Sequence, residues 1–109
     1  MQTLVQVICS KGQTSLRDSI VSDSRLSKHE LVVEKQHKPG RKHGWAKIKG
    51  TLPGRRGALN IEWDANTRIL LCRVVNRGAG RPNLIIGDFV DYLFARFRRK
   101  IEAVNIIPR

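Results

Sequence analysis

Hydrophobic and polar positions alternate along the middle of the chain, which predicts β-strands. Between residues 29 and 77 there are four extended pieces, separated by turn sequences such as "PG", "PGRRG" and "DANT". The clearest is "GWAKIKGTL", in which Ala46 and Ile48 share one face and Lys47 and Lys49 share the other. Short strands joined by turns of this kind predict a four-stranded antiparallel meander sheet.

A helical period replaces the alternation after "GAGRP", and it predicts one long amphipathic helix over residues 83–104. Apolar residues recur there at steps of three and four: Ile86, Val90, Leu93, Phe97, Ile101 and Val104. Asn83 can cap the start, and acids precede bases along the helix, as its dipole favours. Phe89 and Phe94 widen the stripe beyond what four strands can cover, so we expect a homodimer that packs helix against helix.

The first 28 residues have a different composition. The segment "SKGQTSLRDSIVSDSRLSK" contains six serines and no clear apolar face, which is typical of a loop or an arm. The preceding "TLVQVIC" leaves open whether one short strand is added. We therefore predict an N-terminal arm over residues 1–28 and a single α+β domain over residues 29–109, with its sheet in 29–77 and its helix in 83–104.

Positive charge is concentrated in the centre of the chain. The 109 residues include 21 Lys or Arg and 9 Asp or Glu, which gives a formal net charge of +12. The 27 residues between Glu34 and Glu62 contain eight cations and no acid. A surplus of this size attracts polyanions, nucleic acid above all.

Several classes of protein do not fit the sequence. No segment approaches the ~20 apolar residues of a membrane span, and the N-terminus lacks the basic start of a signal peptide. Cys9 and Cys72 are too few for a disulfide scaffold, so we expect reduced thiols in a cytoplasmic protein without a membrane partner.

Residues suited to catalysis are few. His29, His37 and His43 have no cysteine or acid at ligand spacing, so no metal or other cofactor is predicted. Glu62 and Asp64 share a strand face in "IEWD", which leaves a small metal-dependent nuclease as an alternative. Apart from that pair, the sequence does not support an enzyme.

One strand face has the chemistry of a nucleic-acid contact. Trp45, Lys47 and Lys49 follow one another on it at intervals of about 7 Å, comparable to the phosphates of an extended single strand. The lysines can neutralise phosphates and the indole can stack on a base. We therefore predict a nucleic-acid-binding protein of low sequence specificity, with single-stranded DNA favoured and RNA or the duplex DNA backbone as alternatives. The predicted contact residues are Lys38, Arg41, Lys42, Trp45, Lys47, Lys49, Arg55, Arg56, Arg73 and Arg77.

Plainer interpretations of the same residues stay open. Outward lysines are often simply solvated, and they protect sheets from edge-to-edge aggregation. Trp45 can equally pack on a neighbour, and Glu30 and Glu34 interrupt the basic face. A wide apolar helix face is also compatible with a module that docks another protein.

The predicted element order, the strand "WAKIKG" and the helix "GDFVDYLFARFRRKIEAV" resemble the single-stranded-DNA-binding transcriptional regulator fold. Positive-cofactor-four type coactivators and the plant Whirly proteins share that fold. The resemblance covers residues 29–104. It implies a homodimer built on paired helices and a role in transcription regulation or DNA maintenance, with Trp45 stacking on a base and Lys47 and Lys49 contacting the backbone.

Overall fold

A single antiparallel sheet organises the computed structural model of the protein, which describes residues 2–12, 14–55, 57–75 and 82–108. These ranges contain six strands: β1 (Gln2–Cys9), β2 (Leu31–Lys35), β3 (Trp45–Gly50), β4 (Ala58–Asp64), β5 (Ile69–Val75) and β6 (Ile101–Ile107). Their order across the sheet is β2-β3-β4-β5-β1-β6, and each strand is antiparallel to its neighbours.

Two helices, α1 (Leu16–Val21) and α2 (Pro82–Phe97), pack on one face of the sheet, which we call the covered face. Ser15 begins α1, and its hydroxyl accepts a hydrogen bond from the backbone N–H of Asp18 at 3.2 Å. Alternate strand residues meet the helices in one apolar core that includes Val5, Val7, Ile48, Leu59, Ile61, Leu70, Phe89 and Leu93. Among the described residues no helix covers the other side of the sheet, which we call the open face.

The predicted four-stranded sheet is wrong, because two further strands join it. Strand β1 comes from the predicted arm and lies between β5 and β6, where Val5 pairs with Cys72 on one side and Ile106 on the other. The backbone groups of β1 are therefore satisfied on both edges, which stabilises an extended conformation that its short apolar segment only suggests.

The predicted helix over residues 83–104 is also wrong beyond Phe97. Helix α2 ends at Phe97, a 3₁₀ turn follows over Arg98–Lys100, and Ile101–Ile107 forms β6. The β-branched residues of "IEAVNII" suit a strand, and β6 covers the edge of β1 that would otherwise be unpaired.

The apolar stripe of α2 is buried within one chain. Phe89 and Leu93 are completely buried, whereas Phe94 stays 40% exposed. Six strands and α1 provide the apolar surface that four strands lack, so the reason for expecting a helix-paired dimer is removed. The homodimer itself stays a prediction.

A polar cluster attaches the serine-rich segment to α2. The Asp23 carboxylate accepts hydrogen bonds from the Tyr92 hydroxyl at 2.8 Å and from Arg96 Nε and Nη2 at 3.0 and 3.2 Å. The Arg96 hydrogen bonds, assisted by Tyr92, lower the pKa of Asp23 from 3.8 to about 2. Residues 14–30 are therefore anchored to the core at this point.

We expect the stability of the protein to fall as pH decreases from about 4 to about 2. The pKa of Asp23 is lower in the folded chain than in the unfolded chain, so its stabilising contribution is complete above the unfolded pKa and lost when the carboxylate is protonated. That contribution is about 2 kcal/mol. Urea unfolding of the wild type and Asp23→Asn, at several pH values, measures it: the difference in unfolding free energy should shrink as pH falls. A difference that is independent of pH would contradict the assignment.

Candidate nucleic-acid interface

The open face carries the polar side chains of the central strands. On β3, Trp45, Lys47 and Lys49 alternate with the buried residues Ala46 and Ile48, so all three side chains belong to the open face. Strand register places Trp45 opposite Glu62 and Lys47 opposite Asn60 on β4. The structure therefore displays Trp45, Lys47 and Lys49 together on one surface, as the sequence predicts.

A cavity of about 360 Å³ crosses this face from β2 to β5, and we call it the basic groove. Among the described residues, five cations and one carboxylate line it: Lys35, Lys38, Arg41, Lys47, Lys49 and Glu34. Its floor includes Trp45, Ala58, Asn60 and Val75. Positive charge therefore predominates in a concave surface, where it acts more strongly on an anion than on a flat one.

Glu34 is the acid that partly neutralises the groove. Its two carboxylate oxygens lie 3.5 Å from Lys47 Nζ and 4.0 Å from Lys49 Nζ. All three side chains are at least a quarter exposed to solvent, so these ion pairs are weak and can exchange for a phosphate.

A β-bulge brings an unpredicted lysine into the groove. The register of β2 against β3 shifts between Val33 and Lys35, which places both Glu34 and Lys35 beside Lys47. Regular alternation would direct Lys35 to the other side of the sheet, so the residue pattern contains no signal for its position.

The indole of Trp45 is covered in this conformation. Its residue is only 3% exposed, and the guanidinium carbon of Arg41 lies 5.7 Å from the centre of the ring. The indole N–H has no hydrogen-bond partner among the described residues. In this conformation the ring therefore has almost no surface free to stack on a base.

Arg17, a buried residue that the sequence did not indicate, holds this region together. It donates hydrogen bonds to the backbone oxygen of Trp45 at 3.1 and 2.9 Å and to that of Gln36 at 2.6 Å. These bonds attach both ends of the loop over residues 36–44 to α1. The loop supplies Lys38 and Arg41 to the groove.

The remaining predicted contact residues lie in different places. Arg55 donates to the Asp88 carboxylate of α2 at 2.8 and 3.2 Å, so its charge is neutralised by the helix on the covered face. Lys42 lies on the exposed loop, beside a neighbouring hollow lined by Lys38 and Arg41. Arg56 and Arg77 lie outside the described residues.

Arg73 lines a smaller cavity of about 130 Å³ next to the groove, which we call the side cavity. Its other described lining residues are Arg41, Trp45, Asn60, Glu62, Leu71 and Val75. Four residues, Arg41, Trp45, Asn60 and Val75, line both cavities, so the side cavity and the basic groove are neighbours on the open face.

Among the described residues, the structure groups no third metal ligand with Glu62 and Asp64, the pair considered for a nuclease. Glu62 lies beside Trp45, whereas Asp64 at the end of β4 accepts a hydrogen bond from the backbone N–H of Asn66 at 2.9 Å. Within the described ranges, no group of three or more His, Cys, Asp or Glu is placed to hold a metal ion. Cys9 and Cys72 are buried, and burial raises the pKa of both thiols.

A second basic cluster, formed by Arg96, Arg98, Arg99 and Lys100, lies at the end of α2 and in the turn that follows it. Arg98 lies over the Phe94 ring at 5.9 Å, and Lys100 lies over the Phe97 ring at 5.6 Å. Arg96 is engaged by Asp23. These cations lie outside the basic groove, and they provide an internal comparison for it.

Comparisons of the chain with models of protein families, with curated proteins and with solved structures find no match. The resemblance to the single-stranded-DNA-binding regulators stays a prediction, and the observed element order differs from the one that suggested it, since β6 follows the helix. None of the helices in the described ranges is long and apolar enough to span a membrane.

Proposed function

We propose that the protein binds single-stranded nucleic acid, with its backbone phosphates in the basic groove. The observation that carries the proposal is the convergence of five cations from β2, β3 and the intervening loop on one cavity that has a single described carboxylate. Each phosphate that these side chains neutralise releases condensed counterions, which supplies affinity without requiring a particular sequence.

The shape of the surface favours one strand over a duplex. Lys47 and Lys49 lie about 7 Å apart along β3, which suits the successive phosphates of an extended strand. The floor of the groove is partly apolar, because it includes Trp45, Ala58 and Val75. Unpaired bases can pack against this surface. A duplex keeps its bases stacked and paired, so it cannot place a base face on this floor. Single-stranded DNA is the proposed ligand, and RNA and duplex DNA are the comparisons in its test.

Fluorescence anisotropy with labelled single-stranded DNA, RNA of the same sequence and duplex DNA tests the proposal. With four phosphate contacts, the affinity for single strands should fall about 50-fold between about 50 and about 200 mM salt. Tightest binding to single-stranded DNA with this salt dependence is the expected result. Absent binding, or binding that salt does not weaken, would contradict the proposal, and tightest binding to duplex would replace its ligand.

Removal of the Glu34 carboxylate should strengthen binding. In Glu34→Gln, Lys47 and Lys49 lose their internal competitor for phosphate. Because Glu34 forms two exposed ion pairs, each worth about 0.2–1 kcal/mol, we expect roughly twofold to thirtyfold tighter binding at low salt. Anisotropy titration measures the gain. Glu102→Gln, an exposed substitution on β6 with the same charge change, is the control and should leave affinity near that of the wild type. Equal affinities for Glu34→Gln and the control would show that Glu34 does not compete.

A further inference from the structure

We propose that the side cavity holds one nucleobase of the bound strand, and that Glu62 selects bases with an exocyclic amino group, such as cytosine, over thymine and uracil. This inference rests on the proposed function, because the base would reach the cavity from a strand in the basic groove. It adds a preference that phosphate contacts cannot provide.

The walls of the side cavity combine apolar surface with polar groups. Leu71 and Val75 of β5 and the Trp45 indole provide apolar contacts for a flat ring. Strand register places Glu62 between Trp45 on β3 and Leu71 on β5, so the carboxylate lies beside the indole. No ion pair within 4.0 Å joins Glu62 to a described cation, although Arg41 and Arg73 line the same cavity.

The buried indole N–H is an independent observation on a residue that lines the side cavity. Trp45 is only 3% exposed, yet its indole N–H has no hydrogen-bond partner among the described residues. An unsatisfied buried donor is unfavourable by comparison with one that is hydrogen-bonded. A base that displaces Arg41 would lie beside the indole at the place where the side cavity meets the groove, since Arg41 and Trp45 line both cavities.

Displacement of Arg41 also releases a cation for the backbone. In the free protein its guanidinium lies over the Trp45 ring. A base that stacks on the ring takes that position, and the guanidinium can then pair with a phosphate in the groove. Base entry and backbone binding therefore favour one another.

The carboxylate gives the cavity a chemical preference. An ionised carboxylate only accepts hydrogen bonds, so it pairs with amino donors such as cytosine N4. Thymine and uracil present the O4 oxygen at the equivalent position, where two acceptors repel each other, and this repulsion opposes any hydrogen bond from their neighbouring N3–H. Asn60 can both donate and accept, so its amide adapts to either kind of base and the discrimination falls on Glu62.

Competition of oligo(dC) and oligo(dT) of equal length for the full-length protein tests this inference at neutral pH. The wild type should bind oligo(dC) roughly tenfold more tightly. In Glu62→Gln, whose amide can donate to O4, the affinity for oligo(dC) relative to that for oligo(dT) should fall to a ratio between about 1 and about 2. Glu102→Gln should keep the wild-type ratio, and thermal unfolding should show that both variants are folded.

Each alternative outcome has a distinct meaning. Equal binding of the two oligonucleotides by the wild type, or a ratio that Glu62→Gln does not change, would overturn the base cavity and leave the basic groove intact. If neither oligonucleotide binds, the proposed function and the base cavity fail together. A preference for oligo(dT) would mean that the Glu62 carboxylate does not select an amino group, and it would overturn the proposed base preference.

Discussion

Replacement of both Lys47 and Lys49 by glutamate is expected to reduce the affinity for single-stranded DNA by at least about 100-fold at about 0.1 M salt. Each phosphate contact of a single strand contributes about 0.7 to the slope of log affinity against log salt, so two lost contacts alone weaken binding about 25-fold there. The new carboxylates, next to Glu34, would also repel the backbone. Anisotropy titrations at several salt concentrations measure both the loss and the shallower slope.

The fold should tolerate this double substitution. The Lys47 and Lys49 side chains are 27% and 51% exposed, and their partner Glu34 forms only weak surface ion pairs with them. A matched control, Lys11→Glu with Lys28→Glu, changes the net charge equally at two exposed positions outside the groove. We expect this control to bind within a few-fold of the wild type. An equal loss in both double variants would mean that total charge, rather than the groove, determines binding.

The second large effect concerns stability. Val7→Asp should lower the free energy of unfolding by at least about 4 kcal/mol, which is close to the whole stability of many small domains. Val7 is completely buried and pairs with Leu70 of β5 and Val104 of β6, so a carboxylate there would lie in the apolar core without a partner. Urea unfolding followed by circular dichroism measures the loss.

Thr14→Asp is the control for Val7→Asp, because it introduces the same residue at an exposed position of the same N-terminal segment. Its unfolding free energy should stay within about 0.5 kcal/mol of the wild type. If Val7→Asp were as stable as this control, β1 would not lie inside the sheet, and residues 1–28 would behave as the arm that the sequence predicts.

The central strands could be predicted from sequence because each has one buried and one exposed face. Alternation alone predicts extended segments at 44–52, 58–64 and 68–77, which contain β3, β4 and β5. Strand β6 could not be recognised in this way. Ile101 and Val104 are three residues apart, which fits a helix, and they also fit a strand once β1 is present to pair with it. Whether this segment forms a helix or a strand therefore depends on β1, about 100 residues away along the chain.

The candidate site, too, could be predicted from the sequence only in part. The shared face of Trp45, Lys47 and Lys49 follows from the local pleat, and the sequence predicts it. The positions of Lys35 and Arg55 depend on a bulge in β2 and on an ion pair with Asp88 of α2, both of which are set by neighbouring elements. The contact of Arg41 with Trp45 depends on the path of a loop, which residue periodicity does not encode.

Chemical-shift mapping locates the bound strand on the protein most directly. Titration of the isotope-labelled protein with a short single-stranded oligonucleotide should shift the amide signals of β2, β3 and β4 and the indole N–H signal of Trp45. The signals of Arg98–Lys100, in the second basic cluster, should stay in place. Shifts confined to that cluster, with the groove signals unchanged, would contradict a binding site on the open face of the sheet.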